Sequence, residues 1–120
     1  MKKLFTFLLF LFFITKSFAQ FDTEHWFAPM ADSSNGSEAQ QYIYVSTNES
    51  TPFKVDIYNN NVIIGTINNL SKGSPQKFSI PREYIITSDN TEINAKATLG
   101  LHLVGEKKFF ANLRFSVFNH

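Results

Sequence analysis

The chain has 120 residues, of which 43% are hydrophobic and 16% aromatic, with 14 phenylalanines and no cysteine. The missing cysteine excludes thiol nucleophiles, disulfides, CxxC redox chemistry and cysteine-ligated zinc, so stability has to come from packing. The 11 basic and 10 acidic residues give a formal charge of +1. No Lys/Arg cluster goes beyond Lys107-Lys108, and nucleic-acid binding is left without an electrostatic footprint.

Residues 1–19 read as a cleavable helical signal peptide. Lys2 and Lys3 form the positive start, Leu4 to Ile14 is an apolar run broken only by Thr6, and Ser17 and Ala19 are small residues placed for a cut before Gln20. A membrane anchor needs about 20 apolar residues, and Lys16 ends this run sooner, so no membrane span is expected once the signal is removed. The cut also takes away Lys2, Lys3 and Lys16, leaving eight basic residues against ten acidic ones and a formal charge of −2. Export places the remainder in the periplasm, on the cell surface or in the medium. An exported chain of this size that uses no cysteine fits a bacterial protein better than a small eukaryotic secreted module.

The mature chain from Gln20 onward is long enough for one small domain. It divides into an N-terminal segment with a polar loop, residues 20–41, and a β-domain over 42–120. Asp22-Thr23-Glu24-His25 is the densest polar cluster. In a strand its two carboxylates share one face and His25 takes the other, so a solvated first strand is favoured over a metal site. Of the neighbours Trp26 and Phe27, one enters the core and the other lies near the surface. Asp32 to Glu38 offers oxygen ligands and Gly36, but counting from that glycine puts Ala31 and Ser33 where a calcium loop needs carboxylates. A flexible loop is the better reading.

From Tyr42 onward, short β-branched and aromatic runs alternate with Asn, Gly, Ser and Pro clusters, and no window carries a 3.6 period. This predicts an all-β, antiparallel β-sandwich. The runs are Tyr42 to Thr47, Phe53 to Tyr58, Val62 to Ile67, Gln76 to Ile80, Tyr84 to Thr87, Leu99 to Val104 and Phe109 to Phe118. Phe53, Val55 and Ile57 alternate with polar residues up to Asn59-Asn60-Asn61, which tolerate positive φ and turn the chain back. A second hairpin is expected from Leu99 to Phe118, turning at Gly105-Glu106-Lys107. Pro81 denies a ladder hydrogen bond and marks an edge or an interruption. Phe109, Ala111, Leu113, Phe115 and Val117 share the inner face of the last strand, which leaves Phe110 and Phe118 to be covered. Its unpaired edge therefore predicts self-association, or further strands beyond His120 that complete the sandwich.

No G-x-S-x-G elbow, HExxH or phosphate-cradling glycine loop occurs, and His25, His102 and His120 stand alone. The sequons at Asn48 and Asn69 read as turn chemistry. No cofactor, catalytic residue or metal ligand is expected. The residues that suit ligand contact are the aromatics Trp26, Tyr42, Tyr44 and Tyr58, able to stack on sugar rings if exposed.

The opening Asp22-Thr23-Glu24-His25-Trp26-Phe27-Ala28-Pro29-Met30, the strand Tyr42-Ile43-Tyr44-Val45-Ser46, and Gly100-Leu101-His102-Leu103 with Phe109 to Phe115 resemble the IgGFc-binding protein N-terminal domain family. More narrowly, they are similar to the N-terminus of large exported Bacteroidetes proteins that end in a gliding-motility-associated C-terminal domain. The resemblance implies a non-enzymatic, adhesin-like β-domain whose partner is a protein or glycan at the cell surface, and it carries over no catalytic residue. The alternative is a free-standing secreted carbohydrate-binding module, to be told apart by a row of exposed aromatics.

Overall fold

The computed structural model describes residues 1–3, 21–31, 40–87 and 100–116. The signal peptide beyond Lys3, the Asp32 to Glu38 loop, and Leu99, Val117, Phe118 and His120 lie outside the described residues. Among the described residues the strands are β1 Asp22–Phe27, β2 Met30–Ala31, β3 Gln40–Ser46, β4 Phe53–Asn59, β5 Val62–Leu70, β6 Gln76–Ile80, β7 Ile86–Thr87 and β8 Leu101–Ser116. Every pairing is antiparallel except the two-residue contact of β2 with β7. The main sheet runs β5-β4-β8-β3-β6, with β1 also on β8, and it curls until it is nearly barrel-shaped. The all-β antiparallel architecture is the one expected from the alternating runs.

The second expected hairpin does not form. Leu101 to Ser116 is one continuous strand, and Gly105-Glu106-Lys107 lies inside it. The first half of β8 pairs with β4 and β1, and the second half pairs with β3, so both halves already have partners and need not pair with each other. The glycine and charged residues mark a bend instead: Asp22 faces Phe109 while Glu24 faces Val104, so two steps along β1 oppose five along β8. A strand that bends in this way passes from one sheet layer to the other. The last strand, expected to be a free edge, is thus the central one. Two further departures are smaller. Tyr84 to Thr87 is a 3-10 turn over Arg82–Tyr84 followed by the short β7, and β5 continues past Ile67 to Leu70.

Hydrogen bonds hold the corner. The Thr47 hydroxyl donates to the Lys108 carbonyl at 2.7 Å, the Lys72 amide donates to the Glu49 carbonyl at 2.7 Å, and the Lys54 amide donates to the Glu106 carboxylate at 3.2 Å. The β3–β4 connection and the start of β4 therefore lie against the bend of β8, and the β5–β6 connection is tied to the β3–β4 connection. Two close approaches fix how tightly the layers fold. Gly65 has no room for a Cβ because the Phe78 ring occupies the place, and a Cβ on Gly105 would stand 2.7 Å from the Phe109 ring. The core between the layers contains Ile43, Val45, Val55, Ile57, Leu103 and Phe109, all essentially inaccessible, with Phe27 and Leu113 packed against it. Phe109 is on the inner face, as its alternation predicts, and Phe110 on the other face meets Phe21 at 6.2 Å between ring centroids.

Candidate functional site

Strict alternation sends Asp22, Glu24 and Trp26 of β1 outward and turns His25 and Phe27 inward. His25 is half-buried: its Nε2–H donates to the Phe109 carbonyl at 2.7 Å, and its ring meets the Phe109 ring edge-on at 4.6 Å. A carbonyl can only accept, so the proton is on Nε2. The polar cluster at the start of the mature chain is therefore split between two faces. Among the described residues, no group of three or more metal-ligating side chains comes together.

The outward residues meet partners on the neighbouring strands. Register places Trp26 beside His102 and His102 beside Tyr58, three rings in a row across β1, β8 and β4. The indole and imidazole lie face to face at 3.6 Å with an 8° interplanar angle, and Tyr58 is 5.9 Å from His102 on the other side. The His102 Nε2–H donates to the Glu24 carboxylate at 3.1 Å, which orients the imidazole under the indole. In sequence His102 reads as a histidine standing alone; in the fold it is half-buried and forms the centre of this row. Trp26 remains 71% exposed, so its outer face is open to solvent.

Beside this row is a cleft of about 470 Å³ lined by Trp26, Pro29, Tyr58, Asn60, Asn61 and His102, among others. The turn that forms one rim is the expected β4–β5 hairpin. Asn59 pairs with Val62, and Asn60 and Asn61 adopt φ of 45° and 64°, the left-handed conformation that a two-residue type I′ turn requires. The Asn59 amide donates to the Gly100 carbonyl at 2.9 Å and ties the turn to the start of β8. Gly100 itself has φ of 115°, and a Cβ there would stand 2.8 Å from the Phe27 carbonyl.

The other two named aromatics lie elsewhere. Tyr42 and Tyr44 are on the outer face of β3, 6.2 Å apart, with Tyr44 38% exposed. Lys77 sits 4.6 Å over the Tyr42 ring and Arg114 sits 5.2 Å over the Tyr44 ring. The four aromatics that the sequence points to thus form two pairs on two faces. Sequence reasoning does not reach His102, Glu24, Asn60 or Asn61 as site residues. The hairpin asparagines carry a signal for a rim, but the cross-strand register that places His102 under Trp26 is not visible locally.

Electrostatics differ along the first face. Burial pushes the Asp56 carboxyl up, but hydrogen bonds from Lys54 and Thr66 and the charge of Lys54 outweigh it, so Asp56 is held below the ordinary carboxylate value. Lys54 is raised by its hydrogen bond to Asp56 and by the Asp56 charge, with a smaller contribution from Glu106. Comparison with protein-family models, curated protein sequences and solved structures finds no match to the chain. Among the described residues, no helix is long and apolar enough to cross a membrane.

Proposed function

We propose that the chain is an exported, non-enzymatic β-domain that acts by adhesion at the cell surface or in the extracellular space, as part of a larger adhesin-like protein. The proposal builds on the likeness of its opening and closing strands to the IgGFc-binding N-terminal domain of gliding-motility-associated Bacteroidetes proteins. One observation carries it: a single tryptophan, 71% exposed, is held rigid by an imidazole stack at the rim of an open cleft. A large apolar ring fixed in water gains nothing for the fold and is suited to meeting a partner at low entropic cost. The experiment is binding of fluorescently labelled, exported protein to bacterial cells and their surface matrix. Retention that falls on Trp26→Ala supports adhesion; retention no greater than that of an inert labelled protein rejects it. Intact mass tests export, with processing expected between Ala19 and Gln20 and a retained Met1 in the cytoplasm rejecting it.

The second reading, a free-standing secreted carbohydrate-binding module, is favoured by the open indole face. Trp26 is stacked on His102 and Tyr58 is tilted by 35° against it, so the three rings form no coplanar platform, and that face offers room for one sugar ring rather than a long flat chain.

A further inference from the structure

We propose that the cleft beside Trp26 binds a neutral sugar, one pyranose ring of an oligosaccharide lying against the open face of the indole. The inference rests on the interaction reading above and names its ligand class. A pyranose presents a flat patch of C–H groups on one side and hydroxyl groups around its edge, so its site needs an aromatic face next to hydrogen-bonding groups that can both donate and accept. Trp26 supplies the face, locked against His102 at 3.6 Å. Asn60 and Asn61 line the same cleft and bring carboxamides, which match vicinal hydroxyls with one donor and one acceptor each. Their positions are set by the turn and by the Asn59 to Gly100 hydrogen bond, so the rim is formed before a ligand arrives.

Charge selects the class. Among the described residues no lysine or arginine lines the cleft, and the next row of the same face carries the carboxylates of Glu24 and Asp56 on either side of Val104, with Lys54 already paired to Asp56 at 3.0 Å. An acidic sugar would meet like charge and no cation there. The cleft volume of about 470 Å³ lies in the range of small-molecule sites.

The test uses the fluorescence of Trp26, the only tryptophan in the chain. Exported protein is titrated with cellohexaose, laminarihexaose, mannohexaose and hexa-N-acetylchitohexaose, and with hexagalacturonate as the acidic comparison. The expected result is a change in emission with at least one neutral hexasaccharide, saturating with a dissociation constant on the order of 1 mM or tighter, and none with hexagalacturonate. Isothermal calorimetry on Trp26→Ala should show binding weakened by about tenfold or more, the equivalent of an aromatic contact. Asn60→Gly and Asn61→Gly keep the left-handed turn while removing the carboxamides, and each should weaken binding by roughly threefold or more with the fold intact. Emission unchanged by every neutral hexasaccharide overturns the proposal, as does tighter binding of hexagalacturonate or undiminished binding by Trp26→Ala. If emission is unchanged while labelled wild-type protein still binds cells through Trp26, the sugar site falls and adhesion stands; if both fail, both readings fall.

Discussion

The two outer faces of the sandwich both carry paired aromatics, yet they are built for different purposes. On the β3–β6 side, each tyrosine has a cation over its ring, Lys77 on Tyr42 and Arg114 on Tyr44, and the strand positions facing outward there bring no carboxylate among the described residues. On the β1–β8–β4 side, Trp26 lies on a histidine that is bonded to the Glu24 carboxylate, and a cleft opens at its edge. The tyrosine rings are used by the protein itself, whereas one face of the indole is used and the other is free. What covers a ring, rather than the presence of a ring, decides whether it can receive a ligand.

This contrast depends on the layers staying folded at the corner, and the largest expected effect comes from loosening it. Phe109 is fully buried, lies over Gly105 and receives the edge of His25. Phe109→Ala should cost about 3–5 kcal/mol, a cavity effect large enough to unfold a small domain. A urea melt measures it, and loss of both faces together is expected. A fall below about 1 kcal/mol would mean that the corner does not couple the layers.

The next effect is confined to the acidic face. Asp56 accepts from the Thr66 hydroxyl at 2.8 Å and the Lys54 ammonium at 3.0 Å, and its side chain is only 15% exposed. Asp56→Asn should cost about 1–2 kcal/mol at neutral pH, the lower part being favoured because Lys54 is in water. Its folded pKa lies below the unfolded value of about 3.9. The contribution is therefore complete above that value and is lost as pH falls through the folded one. Melts at neutral and acid pH should show the wild type and Asp56→Asn converging below about pH 4, with no such convergence for substitutions on the β3–β6 face.

The fold was largely legible because its signal is local: two-residue alternation, asparagines in the β4–β5 turn and Pro81 after β6 all act within a few residues. The misreading of β8 as a hairpin has a physical cause. A glycine followed by charged residues satisfies a turn and a bulged bend equally well, and only the tertiary partners of the flanking halves decide between them. The candidate site was legible in part. Trp26 and Tyr58 could be named as aromatics on alternating strands, but they become neighbours through His102, 76 residues from Trp26 in the chain, and that register is set by long-range strand pairing. Tyr42 and Tyr44 had the same local pattern, and nothing near them in sequence announces Lys77 or Arg114.

The basic face gives the third test. Exposed cation–aromatic pairs contribute about 0.5–1 kcal/mol each, so Lys77→Ala with Arg114→Ala should cost about 1 kcal/mol in total after solvent screening. The loss should shrink in high salt. Sugar-dependent emission of Trp26 should be unchanged, since neither residue lines the cleft. A change in that emission would show that the two faces are not independent.

The smallest effect on stability is expected at the residue that matters most for binding. Trp26 is the bulkiest side chain in the chain, and deleting a buried residue of that size ordinarily costs about 3–5 kcal/mol. It is instead 71% exposed, on a strand that among the described residues pairs with β8 alone, and its main contact is one ring face on a half-buried histidine. Trp26→Ala therefore removes little area from cover, and the stacking lost is worth about 0.5 kcal/mol at such a site. His102 keeps its hydrogen bond to Glu24, so no buried polar group is left unpaired. A urea melt should place the variant within about 0.5 kcal/mol of the wild type, alongside the expected loss of sugar binding. A loss of stability near 3 kcal/mol would reverse the comparison between the faces: the indole would then be part of the core, covered in solution by the chain itself, and the open ring face on which the binding argument stands would not exist.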